Sequence, residues 1–362
     1  MVKMEILCRE QVCDPGFKVS VFPGAVQLPN GELLMLFVSG SGFESSDAGL
    51  VQARSGDCGE SWNFEGKIFD PIQAGYHMPF TFCAKPTLLP SGELIAAGYG
   101  FFRDRPEMGL SDYAEKFKHF PAVENVLIRS IDFGHNWSRP EKIIHSRSGL
   151  ELSGPALTCR DGKLRFFASP FQLNAPRQEG LTFESGDGGK NWNQTGTFFS
   201  SPDIAAWEVR GAELPSGRIL LVFWAYDLKH QKHLNNHIVW SDDGGKTWSL
   251  PMDTGLRGQA SNLLILNDRI GILQTRREKE SPGIYLTLLD SCLEAEVKTG
   301  EEILLWDGGR KNSTGARIEE QFASLKFGQP SILPLDDGTH LLLFWQCVGK
   351  EYHIESWKLR LV

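Results

Sequence analysis

The chain has 362 residues, of which 11% are aromatic, with 10 tryptophans, and its formal net charge is −8 at pH 7. Its length suits one large β domain or two ordinary domains, and its acidic charge argues against a nucleic-acid surface. No apolar run reaches the length of a transmembrane helix. The opening residues lack the features of a signal peptide, and the seven cysteines have no spacing that indicates a disulfide framework. These features favour a cytoplasmic protein, although a secreted protein without its leader would look the same.

Six hairpin signals recur along the whole chain. Each joins two apolar strands through a polar, glycine-containing turn. They occupy residues 28–37, 89–98, 159–168, 214–223, 266–275 and 333–344. Six repeats of this size, with about four strands each, are typical of the blades of a β-propeller. No composition shift marks a domain boundary, so residues 1–362 are predicted to form one domain.

Four copies of the pattern S-x-D-x-G-x-x-W each follow one of the first four hairpins. They are Ser55–Trp62, Ser130–Trp137, Ser185–Trp192 and Ser241–Trp248. In a tight turn the aspartate can accept hydrogen bonds from backbone N–H groups, and the glycine can adopt a positive φ. The tryptophan is predicted to lie across the turn and to seal it against the sheet.

This pattern is the Asp-box, and the chain resembles the sialidase-like, Asp-box (BNR-repeat) propeller proteins. The resemblance implies an all-β, six-bladed β-propeller with four-stranded blades. It also implies that the boxes are structural and lie away from the active site, so their aspartates are neither catalytic nor metal-binding. The opening run Met4–Arg9 is predicted to add the outermost strand to the last blade, beside Tyr352–Leu361, and so to close the ring.

The segment Phe101–Pro121 is one large insertion between strands two and three of the second blade. Its sequence DYAEKFKHF could form a short helix. The segment is either a solvated surface loop or a wall of the ligand pocket, and the sequence leaves both readings open.

Alternating strand directions place two kinds of segment on one face: the loops between strands two and three, and the residues leading into strand one. Loops on a rigid scaffold are where function usually resides. The carboxylates of these segments include Glu44, Asp47, Asp104, Asp203, Glu208 and Asp227, and the cations include Lys85, Arg103, Arg105, Arg210, Arg276 and Arg277. The same segments contain Trp207, Trp224 and Trp345, which could stack on sugars, and also His77, Gln259 and Gln329. Together they predict a polar pocket with aromatic walls, although each residue alone could be a satisfied rim residue.

Three histidines in one loop do not indicate a metal site. His230, His233 and His237 are spaced like ligands on a helix, but the residues 234–236 between them resemble a hairpin turn. Neither a metal nor another cofactor is predicted.

The resemblance implies a catalytic set that this chain matches only in part. Sialidases hold the substrate carboxylate with three arginines, attack with a tyrosine that a glutamate activates, and use an aspartate as acid and base. Glu208 keeps the position of the glutamate, whereas Gln329 replaces the tyrosine. Val21 and Trp224 replace two of the arginines, and a bidentate carboxylate clamp cannot be built from these residues. The chain is therefore not expected to be an ordinary retaining sialidase.

The remaining members of that set have approximate counterparts. Arg276 and Arg277 lie near the third arginine without matching its register. Glu44 and Asp47 in the first-blade loop are candidates for the acid/base aspartate.

The sequence thus predicts a carbohydrate-active protein, a glycoside hydrolase for a non-sialic-acid or unusual acidic glycan. Its predicted catalytic pair is Glu208 with Glu44 or Asp47, unless Glu208 simply pairs with Arg210. The residues predicted to bind substrate are Arg210, Arg276, Arg277, Trp207, Trp224, Gln259, Gln329, Lys85, Arg103 and His77. Two alternatives remain open: a glycan-binding or scaffold propeller without catalysis, and a polysaccharide lyase with His77 or Tyr113 as its base. The expected partner is a carbohydrate ligand, and the sequence does not indicate an oligomeric state.

Overall fold

The structure is a computed structural model that describes residues 2–171, 175–266, 269–291, 297–309 and 325–361. The first half of the described chain contains β1 (Met4–Val12), β2 (Val19–Gln27), β3 (Leu33–Gly40), β4 (Gly49–Ser55), β5 (Asn63–Lys67), β6 (Phe80–Leu88), β7 (Leu94–Phe102), α1 (Leu110–Phe117), β8 (Val123–Ser130), β9 (Glu141–Lys142), β10 (Leu150–Glu151), β11 (Leu157–Thr158), β12 (Leu164–Pro170) and β13 (Gln178–Ser185). The second half contains β14 (Asn193–Ser201), β15 (Ile204–Glu213), β16 (Ile219–Asp227), β17 (Lys232–His233), β18 (His237–Ser241), β19 (Met252–Asp253), β20 (Ser261–Leu266), β21 (Arg269–Arg276), β22 (Gly283–Ser291), β23 (Lys298–Asp307), β24 (Phe327–Pro334), β25 (His340–Val348) and β26 (Glu351–Leu361).

The fold is nearly all-β. Helix α1 lies in the insertion for which the sequence predicts a short helix. Of the helices in the described residues, none is long and apolar enough to cross a membrane. The turn of the fifth predicted hairpin, at residues 267 and 268, lies outside the described residues.

The strands form antiparallel sheets that follow one another along the chain. Strands β6 to β9, β10 to β14, β15 to β19 and β20 to β23 make four of them. The fifth has eight strands, in which the set β2 to β5 joins the set β24 to β26 through one parallel pair, Val19 and Tyr352. The N-terminal strand β1 runs antiparallel along β26, with Met4 opposite Leu361 and Val12 opposite Ile354.

Buried apolar clusters lie between neighbouring sets of strands. One cluster packs Leu33 and Phe37 of β3 against Leu341 and Trp345 of β25, so it joins the first set to the last. Six further clusters in the described residues pair sets that neighbour each other in sequence. Central strands such as β3 are buried on both faces, which explains why they are apolar throughout rather than alternating.

The four S-x-D-x-G-x-x-W turns share one hydrogen-bond pattern. In the turn 241–248, Oδ1 of Asp243 accepts from the backbone N–H of Thr247 at 2.9 Å, and Oγ of Ser241 accepts from that of Gly245 at 2.8 Å. Gly245 has a φ of 86°, as a glycine permits. The indole of Trp248 donates back to the carbonyl of Gly245 at 3.0 Å. The serine, aspartate and glycine bonds recur in the other three copies.

Arginines attach three of these turns to the preceding sheet. Arg54 donates to the carbonyl of Phe133 at 3.0 Å, and Arg129 donates to that of Gly188 at 2.8 Å. Arg165 donates to the carbonyl of Gly244 at 2.7 Å. Each turn therefore ties two neighbouring sheets together, which is a structural role.

The aspartates of these turns should make the protein sensitive to acid. Side-chain hydrogen bonds from the residue four positions on are the main cause that lowers the pKa of Asp57, Asp132 and Asp187 from 3.8 to about 2. Burial opposes the shift at Asp243, but bonds from Thr247 outweigh it, and its pKa is also about 2. Because these pKa values are depressed in the folded state, the stability they contribute is present above about pH 4 and is lost as the pH falls towards 2.

We therefore expect the urea midpoint of unfolding to fall between pH 4 and pH 2.5, and Asp187→Asn to make that fall shallower. Equilibrium unfolding followed by tryptophan fluorescence measures both. A midpoint that stays constant across this interval would contradict the assignment.

Candidate active site

A cavity of about 200 Å³ opens where the loops after the second strands meet the starts of the first strands. The alternating strand directions inferred from the sequence predict a functional site on this same face. The ionisable residues lining it are Glu44, Glu151, Glu208, Arg103 and Arg277, together with the weaker acids Cys83 and Tyr99. Aromatic rings form much of the remaining wall, and the four turn aspartates are not among the described lining residues.

Three of the innermost strands carry a β-bulge at this cavity. The register of β2, β15 and β24 shifts between Val21 and Gly24, Trp207 and Arg210, and Gly328 and Ser331, respectively. Within these bulges Phe22, Glu208 and Gln329 have positive φ values of 60°, 50° and 45°. A left-handed backbone is strained for residues other than glycine, and bulges commonly re-aim side chains beside active sites. All three side chains line the cavity.

Glu208 is held by contacts that differ at its two oxygens. Its Oε1 accepts a hydrogen bond from Nε2 of Gln329 at 2.7 Å. Its Oε2 is buried without a hydrogen-bond partner in the described part of the chain, and it lies 4.0 Å from Nη2 of Arg210. Arg210 instead donates from Nη1 to Oγ of Ser153 at 2.8 Å. The pairing of Glu208 with Arg210 is therefore long, and one carboxylate oxygen remains available.

Glu151 is a second carboxyl group in the cavity that the sequence reasoning missed. The backbone N–H of Glu208 points at both of its oxygens, each at 3.2 Å. Burial, followed by the charge of Glu208, raises the pKa of Glu151 well above its usual range. The segment that leads into the third hairpin occupies the same topological position as Asp203–Arg210, so the same rule could have found Glu151.

The two first-blade carboxylates have other contacts. Glu44 lines the cavity, but its oxygens accept from the backbone N–H and from Oγ of Ser111, both at 2.9 Å. Burial raises the pKa of Glu44. Asp47 accepts from Oγ of Ser45 at 2.5 Å and from that of Ser41 at 3.1 Å, and the described lining residues do not include it. Burial opposes ionisation of Asp47, but these hydroxyl bonds lower its pKa.

The insertion forms one wall of the cavity. Leu110 and Phe120 line it, and Ser111 in the first turn of α1 is fixed by Glu44. Arg103 is buried, and its guanidinium donates to the carbonyls of Glu44 at 3.0 Å and Met108 at 2.5 Å. These bonds attach the insertion to the first-blade loop, so of its two predicted roles the structure shows that of a pocket wall.

The neighbouring arginines 276 and 277 point to different places. Arg277 lines the cavity, and its Nε donates to the carbonyl of Phe327 at 2.8 Å. Burial lowers its pKa to about 10, against the opposing charge of Glu208. Arg276 is paired with Glu302 at 2.5 Å and is absent from the described lining.

Three other predicted binding residues lie outside the described cavity wall. Lys85 is buried, its Nζ donates to the carbonyl of Phe22, and burial lowers its pKa to about 8. Gln259 accepts from the backbone N–H of Arg277 at 3.3 Å, so it supports that residue. His77 is exposed.

Trp207 and Trp224 form an aromatic corner at the cavity. Their rings meet edge to face at 5.2 Å, and Trp207 also stacks on Tyr226 at 4.9 Å. Trp224 is buried and donates to Nδ1 of His233 at 3.0 Å, whereas Trp207 is partly exposed.

Within the described residues, no three His, Cys, Asp or Glu side chains form a group that could hold a metal ion.

The sequence matches no protein-family model and no curated protein. The structure is similar to a protein of unknown function from Dyadobacter fermentans, with a TM-score of 0.77 and 21% identity over 99% of both chains. It is also similar to the Hadza microbial sialidase Hz136, with a TM-score of 0.67 and 17% identity over 95% of this chain and 65% of that one. An α-L-arabinanase from Penicillium chrysogenum, solved with arabinobiose, gives a TM-score of 0.67 and 16% identity over 99% of this chain and 98% of that one. The chain therefore has a nearly all-β fold whose structural neighbours include propeller glycoside hydrolases.

Proposed function

We propose that this protein is a glycoside hydrolase in which Glu151 is the general acid and Glu208 is the base or nucleophile. The observation that carries the proposal is that both carboxyl groups line one cavity and have contrasting environments. Glu151 is buried beside a negative charge, which favours its protonated form, whereas Glu208 accepts a hydrogen bond from an amide. Two carboxyl groups in different environments within one cavity are the usual arrangement for acid/base chemistry.

The partner of Glu208 in this proposal is Glu151, rather than Glu44 or Asp47. The oxygens of Glu44 are engaged by Ser111, and Asp47 closes its own loop through Ser41 and Ser45. Both residues thus have structural contacts that account for their positions.

The proposed architecture is a single-domain, six-bladed propeller that β1 closes by completing the last blade. Three observations support it: the six antiparallel sets of strands, the pairing of β1 with β26, and the apolar cluster between the first and last sets. In such a ring the cavity lies at one end of the central channel.

The proposed ligand is a glycan that inserts one sugar unit into the cavity. A volume of about 200 Å³ is below the roughly 300–1,000 Å³ typical of pockets for drug-sized ligands, so it fits about one sugar ring. The partly exposed ring of Trp207 offers a stacking surface, and the buried Arg277 could favour an acidic substituent. The sialidase and the arabinanase among the structural neighbours, which by name act on glycans, also support a carbohydrate substrate.

A screen of aryl glycosides and of plant and bacterial oligosaccharides, with Glu208→Gln as the matched blank, tests this function. We expect at least one substrate to be cleaved by the wild type alone. The anomeric configuration of the first product, read by NMR, distinguishes retention from inversion. Glycans that bind without cleavage would instead support the binding-propeller alternative.

The lyase alternative has less support, because His77 is exposed and Tyr113 is outside the described lining, with its hydroxyl 3.4 Å from Asp104.

We further expect no measurable hydrolysis of aryl sialosides. Val21, Trp224 and Gln329 stand where the resemblance places two arginines and the nucleophilic tyrosine. The substrate carboxylate would lack its bidentate partners, which are the strong contacts for such a group. Fluorogenic sialoside assays at high enzyme concentration, with an active sialidase as the positive control, measure this. Turnover that persists in Gln329→Ala would show that the residue alignment or the mechanism is wrong.

A further inference from the structure

We infer that Gln329 is a positioning residue that holds the carboxylate of Glu208 in place for its proposed role as base or nucleophile beside Glu151. The inference rests on the proposed function, because it concerns the same two carboxyl groups. It differs from the substrate-binding role that the sequence predicts for Gln329. The residue acts through Glu208 and does not itself exchange a proton.

Strained backbone supports both ends of the Gln329–Glu208 hydrogen bond. Gln329 lies in the bulge of β24 and Glu208 in that of β15, and their φ values are 45° and 50°. This region is strained for residues other than glycine, and such strained residues cluster at functional sites. Strained residues in two separate sheets thus bring Nε2 of Gln329 to within 2.7 Å of Oε1 of Glu208.

The direction of this bond fixes the carboxyl group of Glu208. Nε2 of Gln329 donates to Oε1 and so holds that oxygen in place. The negative charge on Glu208 then adds to burial in holding the proton on Glu151. With Oε1 held by the amide, the unpaired Oε2 of Glu208 is the oxygen left to act as base or nucleophile.

The side-chain oxygen of Gln329 makes the burial of this residue energetically unfavourable. Oε1 of Gln329 is buried and has no hydrogen-bond partner within the described residues. An unsatisfied buried acceptor destabilises the folded protein, and such groups call for an explanation. A role in positioning the carboxylate of Glu208 supplies one.

The test compares Gln329→Met with a matched control, Gln346→Met. Nε2 of Gln346 donates to Oε1 of Glu355 at 2.6 Å, so the control removes the same kind of bond from a place that does not line the cavity. Both variants are assayed for kcat, KM, the pH–rate profile and thermal unfolding, on a substrate found by the screen.

For Gln329→Met we expect kcat to fall by about 10- to 100-fold with KM changed by less than about threefold. The pH–rate profile should change shape, because the contacts of one of two neighbouring carboxyl groups have changed. Gln346→Met should keep the wild-type profile even where its thermal stability falls by a similar amount.

The outcomes separate this inference from the proposed function. If Glu208→Gln abolishes turnover while Gln329→Met keeps the wild-type kcat and pH profile, the inference fails and the proposed function stands. If turnover of a cleaved substrate persists in Glu208→Gln, the proposed function itself fails.

Discussion

Glu208→Gln should lower kcat/KM on the true substrate by about 10²–10⁴-fold, the range expected when a general acid or base is removed. Glutamine has the same shape and can still accept the hydrogen bond that Gln329 donates to Oε1 at 2.7 Å. The change therefore removes the charge and leaves the cavity wall in place. Steady-state kinetics measure the loss, and thermal unfolding shows whether the fold is retained.

Glu213→Gln is the matched control for this variant. Glu213 ends the same strand, β15, but lies away from the cavity, where its Oε2 accepts from the backbone N–H of Arg160 at 2.8 Å. It should retain wild-type turnover. Activity of Glu208→Gln within a few-fold of wild type would exclude the proposed role.

A second comparison, of Glu151→Gln with Glu44→Gln, decides which carboxyl group acts together with Glu208. If Glu151 is the general acid, Glu151→Gln should strongly slow the hydrolysis of glycosides with poor leaving groups. Hydrolysis of glycosides with activated aryl leaving groups should slow far less, because these leaving groups need no proton. Glu44→Gln should not show this leaving-group dependence. The opposite result would restore the pairing of Glu208 with Glu44.

Local chemistry accounts for the parts of the fold that the sequence could predict. The serine and aspartate of each S-x-D-x-G-x-x-W turn bond within the turn, as Asp243 and Thr247 illustrate, so these contacts could be predicted from eight residues. The face that carries the cavity could also be predicted from the sequence. Because strand direction alternates, the loops between second and third strands lie on the same face as the starts of the first strands. Glu208 could be placed by its register before the fourth hairpin.

Tertiary contacts account for what could not be predicted. The left-handed residues Phe22, Glu208 and Gln329 are not glycines, so no local signal marks the bulges that turn them into the cavity. Glu151 lies in a strand of two residues, and its environment is set by burial and then by the charge of Glu208, far along the chain. Glu44 is likewise defined by Ser111 in the insertion, a contact that spacing alone does not indicate.

The largest stability loss is expected for Arg165→Met. The Arg165 side chain is 2% exposed, and its Nη2 lies 2.6 Å from both Asp161 and Glu184. Its Nε also donates to the carbonyl of Gly244, so the guanidinium connects two sheets. Removing one partner of a buried ion pair costs about 3–5 kcal/mol, because the other charge stays buried without compensation. Glu184 retains Lys163 at 2.6 Å, which places the expectation near the lower end of that range.

Arg218→Met provides the control, because it removes a similar pair at the surface. Nε of Arg218 lies 2.6 Å from Asp242, but the two side chains are 23% and 61% exposed. Exposed pairs contribute at most about 1 kcal/mol. Urea denaturation of both variants measures the difference, and for Arg165→Met a fall in melting temperature of roughly 4–5 °C is expected from the entropy of unfolding of a chain of this length. Equal losses in the two variants would show that burial of Arg165 between the sheets does not set its contribution.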